Sequence, residues 1–469
     1  MSKISAIMDI SKRSLANSQT ALQTVSHNIA NKSTEGFSRQ RVEIQANRPS
    51  SEGRLQIGTG SRAAAVTRTN NPWLEKQIQK EDMNLGYMDA RAESLTRVEE
   101  VYNEQVNKGL NQYVSDFFNS FRELANNPES LASRTLVREN AVAMSKDFQR
   151  VVSQLQDIQV DLDGQIKTTV EEVNQQAKEI AQLNEKIKIV ELNGIPANDE
   201  RDRRDLLLKK MGEKMEISWA EGSDGMVTVS VGRTGLLVSG VSTAELKASY
   251  TGDRDRVEVF FIPGSDKQPI NISRRIEGGR VGGALQVRDE VIEDMMDKVD
   301  QMAFAIGDTV NRIHMQGFDR KNKPGGVFFD IPSSKAGAAK AMNLNDEIYN
   351  DVGKIAAAAQ LDAPGDNTIA NVISALQYQK IMDDNSATID DYWNSQVGKI
   401  GTIAQRANKS QESQKNVLGQ LTNIRESISG VSLDEETTKM IEFQKTFDAS
   451  AKLIRMADEM LDTVLNIRR

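Results

Sequence analysis

Apolar residues recur at helical spacing over most of the chain, and the two ends carry the most regular pattern. Near the start, Ile4, Met8, Leu15, Leu22, Val25 and Ile29 follow one another at steps of four, seven, seven, three and four residues. Those steps put all six on one face of a helix about four heptads long. At the other end Met440, Phe447, Ile454 and Leu461 recur every seventh residue, and Phe443, Ser450, Ala457 and Val464 follow three positions behind them. This is an a/d seam. Ser432 and Glu435 have the spacing of a capping box, so the last helix is expected to begin near Leu433. A helix of this length is marginal alone in water, so each end needs a partner, and the economical partner is the other end.

Between the ends the pattern predicts a helical body. Leu74 to Leu124 reads as helical with interruptions at Gly86 and Gly109, closed by Asn126, Asn127 and Pro128. Phe148 to Val190 keeps three- and four-residue steps until Asn193, Gly194 and Pro196, a rod of roughly 65 Å. Two more amphipathic helices are expected from Leu285 to Ile313 and from Ile400 to Ile428. The period changes to two at Met226 to Val231, after an Asp224-Gly225 turn, and strands continue at Leu236 to Val238 and Val257 to Ile262. The expected fold is mainly α with an inserted β domain, an elongated multidomain subunit with a long-helix bundle body. Residues 1–70 with 432–469 form a terminal coiled coil, 71–213 with 281–431 the body, and 214–280 the β insertion. Gly317 to Asp346, with Phe328 and Phe329, is expected to be a smaller irregular lobe.

Composition narrows the chemistry. The 469 residues include no cysteine and two histidines, which removes disulfides and thiolate chemistry and leaves little scope for imidazole ligation. His27 and His314 are both read as polar residues on helix surfaces. The glycine run Gly278 to Gly283 lacks the Lys-Ser/Thr of a phosphate loop and is expected to be a turn entering the helix at Leu285. Asp161, Asp163 and Gly164 do not complete a calcium loop. The mixed-sign run from Asp199 to Asp205 is expected to be a solvated helix face. No catalytic residue, metal ligand or cofactor site is expected.

The net charge of −8 argues against a general nucleic-acid partner. Residues 1–70 nevertheless hold ten Lys and Arg against four Asp and Glu, a balance of +6 that leaves −14 on the remainder. No membrane-length apolar run and no cleavable signal peptide are apparent. The chain is therefore cytosolic or exported by another route.

Two stretches carry a resemblance. Ala21 to Val42, with Asn28-Ile29-Ala30-Asn31 followed by Gly36-Phe37-Ser38-Arg39, resembles the N-terminal signature of the rod, hook and hook-associated axial proteins of the bacterial flagellum. Val431 to Ile467, with Leu433, Asp434, Glu435, Glu436, Phe443, Gln444 and Ala457, resembles the matching C-terminal signature. Phe118 to Asn140 and Gly278 to Arg288, leading into Ile292 to Gln316, are similar to the hook-associated branch that joins hook to filament. Glu35, Phe37 and His27 depart from the proline, tyrosine and asparagine common in the family.

The resemblance implies a structural subunit and no enzyme. It implies export through the flagellar type III apparatus to an extracellular hook–filament junction, and ends that fold on assembly. The implied partners are further copies in a ring, the hook protein, the second junction protein, and a cytosolic chaperone that holds Met440, Phe443, Phe447, Ile454 and Leu461 before export. Another axial subunit of the same family, or a cytosolic coiled-coil scaffold, are the alternatives.

Overall fold

The computed structural model describes residues 2–52, 55–102, 108–251, 256–264 and 268–467. It is mainly helical with small sheets and elongated, the fold class read from the sequence. The first helix, α1 (Ser2–Ala30), packs along the last, α12 (Leu433–Ile467). Asn28 meets Glu436 and Ser14 meets Ser450, so the two run antiparallel.

Of the first seventy residues only α1 enters that coil. Residues 40–52 and 55–68 instead form an antiparallel arm of β1 (Gln40–Ala46), β2 (Ser50–Glu52), β3 (Leu55–Ile57) and β4 (Ser61–Arg68), with β1 paired to β4 and β2 to β3. The alternation of Val42, Ile44 and Ala46 with charged and polar residues is a strand pattern that the helical reading of the N-terminal segment passes over. Asn17 of α1 holds the arm, donating to Ser61 O and accepting from Ala63 N.

The body is built on α2 (Pro72–Tyr102), α3 (Leu110–Asn126) and α4 (Leu131–Glu191), the last 61 residues and about 90 Å long. Ser130 caps α4 by accepting from Ser133 N. Helix α2 is unbroken at Gly86. A Cβ there would collide with the backbone of Glu213 in α5 (Asn198–Lys214), so the glycine allows two helices to touch where an interruption is expected.

Seven strands follow in two sheets. They are β5 (Ile217–Glu221), β6 (Val227–Val231), β7 (Gly235–Ser239) and β8 (Ser242–Thr243), then β9 (Glu245–Thr251), β10 (Arg256–Ile262) and β11 (Ile270–Asn271). Val227, Val229 and Val231 point inward as their period of two requires, and the inner faces continue the core of α4.

Gly278 stands in extended conformation just ahead of α6 (Gly279–Gln286), and the rest of the glycine run lies inside that helix, a correction to the turn expected before Leu285. A side chain at Gly283 would strike the backbone of Tyr87, so the run lets α6 cross α2 closely. A π turn, Val287–Ile292, connects α6 to α7 (Glu293–His314). It carries Arg288, fully buried, onto Asp163 of α4, Asp289 and the carbonyl of Val257 in β10.

Beyond α7 come the short pair β12 (Phe329–Asp330) and β13 (Asn343–Leu344), and α8 (Ala338–Ala341), α9 (Asp346–Asn350) and α10 (Thr368–Ala375). Phe328 and Phe329 are fully buried against Phe117 and Phe121 of α3. The segment expected to form an irregular lobe therefore lines the main core. Helix α11 (Ile389–Ser429) returns along α2 to the coil.

His314 corrects the surface reading: it is fully buried. Its Nδ1–H donates to Gly326 O at 2.7 Å and its Nε2 accepts from Ala356 N at 2.8 Å, which fixes the neutral tautomer. Burial lowers its pKa from 6.5 to about 4. Between those values the unfolded chain takes up a proton that the folded chain refuses, so stability falls as pH drops through this window, by about 3 kcal/mol in all. His314→Asn is expected to be less stable at pH 7.5 but to lose less on acidification. Urea midpoints at pH 7 and 5 for both proteins measure it, and equal slopes would refute it.

Candidate functional site: the clasp between the termini and the body

The coil is built from two half-finished seams. On α1, Val25 is buried while Ile4, Met8, Leu15, Leu22 and Ile29 are half-buried. On α12, Ala457 is buried, Met440, Phe443, Phe447, Ile454 and Leu461 are half-buried, and Val464 is exposed. A second apolar set on α12, Ile441, Leu453, Met456, Met460 and Leu465, is 43–58% exposed. Pairing two helices satisfies part of the apolar surface that α12 carries and leaves the rest open.

Where α12 begins, the N-terminal signature closes on it. Asn28 is 1% exposed and works in three directions. Its Oδ1 accepts from Gln40 N at 2.9 Å, and its Nδ2 donates to Gln40 O at 2.9 Å and to Glu436 Oε2 at 2.8 Å. Arg39 Nε donates to Glu436 Oε1 at 2.8 Å, and its NH1 pairs with Glu435 at 2.8 Å. Glu435 thus turns to Arg39, away from the capping box expected with Ser432. Arg39 N also donates to Ser429 O, joining the end of α11 to the start of β1. Glu436, also 1% exposed, is a buried carboxylate held by two donors from the other end of the chain.

The remaining signature residues shape the turn between α1 and β1. Asn31 Nδ2 donates to His27 O and its Oδ1 accepts from Thr34. Ala30 and Ile29 end the helix. Gly36 sits at φ +82°, a conformation glycine adopts at low cost, and faces Leu206 of α5. Phe37 meets the His27 ring edge-on at 5.5 Å. Ser38 N donates to Asp202 Oδ2 at 2.7 Å.

That last bond overturns the reading of residues 199–205 as a solvated face. Asp202 accepts from Ser38 N and from Arg68, Asp205 accepts from the same Arg68, and Asp199 accepts from Gln40 and lies 3.3 Å from His27 Nε2. Arg204 is fully buried and donates to Gly225 O. Burial pushes the Asp202 carboxyl above its usual range, against the pull of Arg68 and of the Ser38 N–H. The run docks the terminal unit on the body. Its alternating signs were the available signal, since local i to i+4 pairing and long-range pairing look alike in one dimension. Arg425 of α11 completes the junction, bonding Glu75 of α2 and the carbonyls of Gly36 and Phe37. Its role and that of Arg68 have no local sequence signal.

Nothing in this arrangement resembles a reaction centre. It is a set of ion pairs and backbone bonds that fixes two chain ends to each other and to a rigid helical body, with apolar surface left uncovered along one helix. These are the features of a subunit that completes its packing with other molecules.

Comparison with known proteins agrees with that class. Residues 95–329 match the flagellar hook-associated protein FlgK helical domain, and residues 426–467 match the flagellar basal body rod FlgEFG protein C-terminal region. The chain is 28% identical to flagellar hook-associated protein 1 of Bacillus subtilis, over 98% of this chain and 97% of that one. It is 24% identical to the protein of the same name from Escherichia coli, over 99% and 100%. The structure of the flagellar hook junction protein FlgK from Burkholderia pseudomallei superposes with a TM-score of 0.68 at 14% identity, covering 75% of this chain and all of that one. The chain belongs to the FlgK family of flagellar hook-associated proteins, and it is a structural component of the flagellum.

Proposed function

We propose that this chain is the adapter at the hook–filament junction, polymerising on the hook tip in a ring so that the filament can follow. The observation that carries the reading is the unfinished coil, whose α12 keeps Ile441, Leu453, Met456, Met460 and Leu465 exposed although it is already paired with α1. Exposed apolar surface of this extent on one helix is the mark of a partner-binding face. The relatives named flagellar hook-associated protein 1 support the position in the flagellum.

The proposed partners are further copies of the chain, the hook protein on one side and the second junction protein on the other. Before export, a cytosolic chaperone covers Met440, Phe443, Phe447, Ile454 and Leu461, and the type III apparatus carries the unfolded chain out to the cell exterior. The absence of cysteine and the partial burial of both seams suit a chain that unfolds for passage and finishes folding where it assembles.

Removing Leu433 to Arg469 in the native host is the direct test. Bare hooks, with filament protein lost to the medium, are expected. Normal filaments together with a purely cytosolic protein would reject the assignment.

A further inference from the structure

We propose that Met456 and Met460 are an oxidation-sensitive pair on the assembly face of α12, and that a peroxide which converts their thioethers to sulfoxides disables that face before the chain joins its neighbours. This rests on the partner-binding role proposed above for that side of the helix.

The pair stands within a continuous apolar strip. Ala449, Leu453, Met456, Met460 and Val464 follow one another at steps of four, three, four and four residues, which puts them on one side of α12. Leu453, Met456, Met460 and Val464 are 47%, 51%, 43% and 40% exposed. No charge interrupts the strip, because Lys452, Arg455, Asp458, Glu459 and Asp462 all fall outside its arc. The two methionines lie about 100° round the helix from Ser450, Ala457 and Leu461, which face α1. Ser450 bonds Ser14 there, and Ala457 is buried.

Burial makes the pair selective. Met144, Met211, Met215, Met302 and Met342 are fully buried, and Met8 and Met440 in the seam are half-buried. Among the described methionines only Met315, Met456 and Met460 are exposed, and Met315 stands apart from the coil at the end of α7. A peroxide in water therefore meets this pair first within the coil.

The step is a two-electron oxidation. A thioether lone pair attacks one oxygen of hydrogen peroxide, and the S–O bond forms as the O–O bond breaks. The transferred oxygen gives up its proton to the departing hydroxide, which leaves as water, so sulfur is oxidised and the peroxide reduced. The product is polar. Its oxygen needs a hydrogen-bond donor that an apolar partner surface does not offer, whereas the unoxidised, unbranched side chains adapt to an uneven surface. Two sulfoxides one turn apart thus break the strip while the seam to α1 stays closed.

Hooks isolated from cells lacking this chain supply the test. Purified full-length chain is left untreated, or is oxidised with hydrogen peroxide until peptide mass spectrometry shows one added oxygen on Met456 and one on Met460. Each sample is incubated with the hooks, and the chain that sediments with them is measured. Oxidation is expected to lower that amount at least about tenfold, with helix content by circular dichroism unchanged. Methionine sulfoxide reductases of both stereochemical classes should restore it. The ratio of oxidised to untreated binding is then compared between variants. Met315→Leu should keep the full loss, and Met456→Leu with Met460→Leu should lose nothing further, whatever its untreated level. If the leucines themselves weaken binding, reductase rescue of the Met315→Leu chain decides. Oxidised chain that sediments as well as untreated chain, a double variant as sensitive as the parent, or failed rescue would overturn the switch. Untreated chain that never sediments with hooks would instead reject the assembly reading beneath it.

Discussion

Glu436→Ala is expected to weaken the docking of α12 against α1 by about 2–4 kcal/mol, because it takes one acceptor from the buried amide of Asn28 and another from the half-buried guanidinium of Arg39. Asn28 Nδ2 would keep only Gln40 O, and Arg39 would keep only the exposed Glu435. Glu436→Gln should cost less, since an amide still accepts one hydrogen bond, though it gives up the charge. The cost belongs to one network, so Glu436→Ala and Arg39→Ala combined should cost much less than the sum of the two. A fluorophore on a single cysteine introduced into the cysteine-free chain near Leu453 would report detachment of α12 during urea titration. Additive losses would show that Arg39 and Glu436 act independently and that the clasp is not a unit.

Inside the body, Asp163→Ala is expected to destabilise the fold by about 3–5 kcal/mol. Arg288 is fully buried, and Asp163 is its buried carboxylate; Asp289, the other, is half-exposed. Asp163 also accepts from Val257 N, so its loss removes a tie between α4 and β10 as well. The companion change Arg288→Met with Asp163→Leu should recover much of the stability, because it removes both charges from the interior. Equilibrium unfolding of the single and double variants measures this. A single variant within about 1 kcal/mol of the parent would mean that Asp289 alone suffices to compensate the guanidinium.

The two variants probe different levels of organisation. Asp163 and Arg288 hold the β strands to the longest helix, so their loss should lower the stability of the body with every probe. Glu436 holds the ends together, so its loss should appear in the coil and in assembly while the unfolding of the body is unchanged.

Amphipathic periods were enough to mark the long helices, from the seam of α1 through the rod of α4 to the a/d repeat of α12, because a buried helical face leaves its spacing in one dimension, while the short α6, α8, α9 and α10 went unread. The same logic found β6, β7 and β10, and it gave the mainly helical class. Two signatures at opposite ends gave the family resemblance, since backbone demands such as the left-handed turn at Gly36 restrict residue choice locally. Three kinds of feature were decided only by the fold. The glycines at 86 and 283 read as punctuation and turned out to be crossings, because what they avoid is a backbone far away in sequence. His314 read as a surface residue, since its hydrogen-bond partners Gly326 and Ala356 are loop backbone atoms that no side-chain pattern reports. The run from Asp199 to Asp205 read as a solvated face, yet its partners Ser38, Gln40 and Arg68 lie more than a hundred residues away. Periodicity records which face of an element is buried. Which distant charge, backbone or loop meets that face is settled by three-dimensional packing, and the clasp joining the two ends to the body is made almost wholly of such meetings.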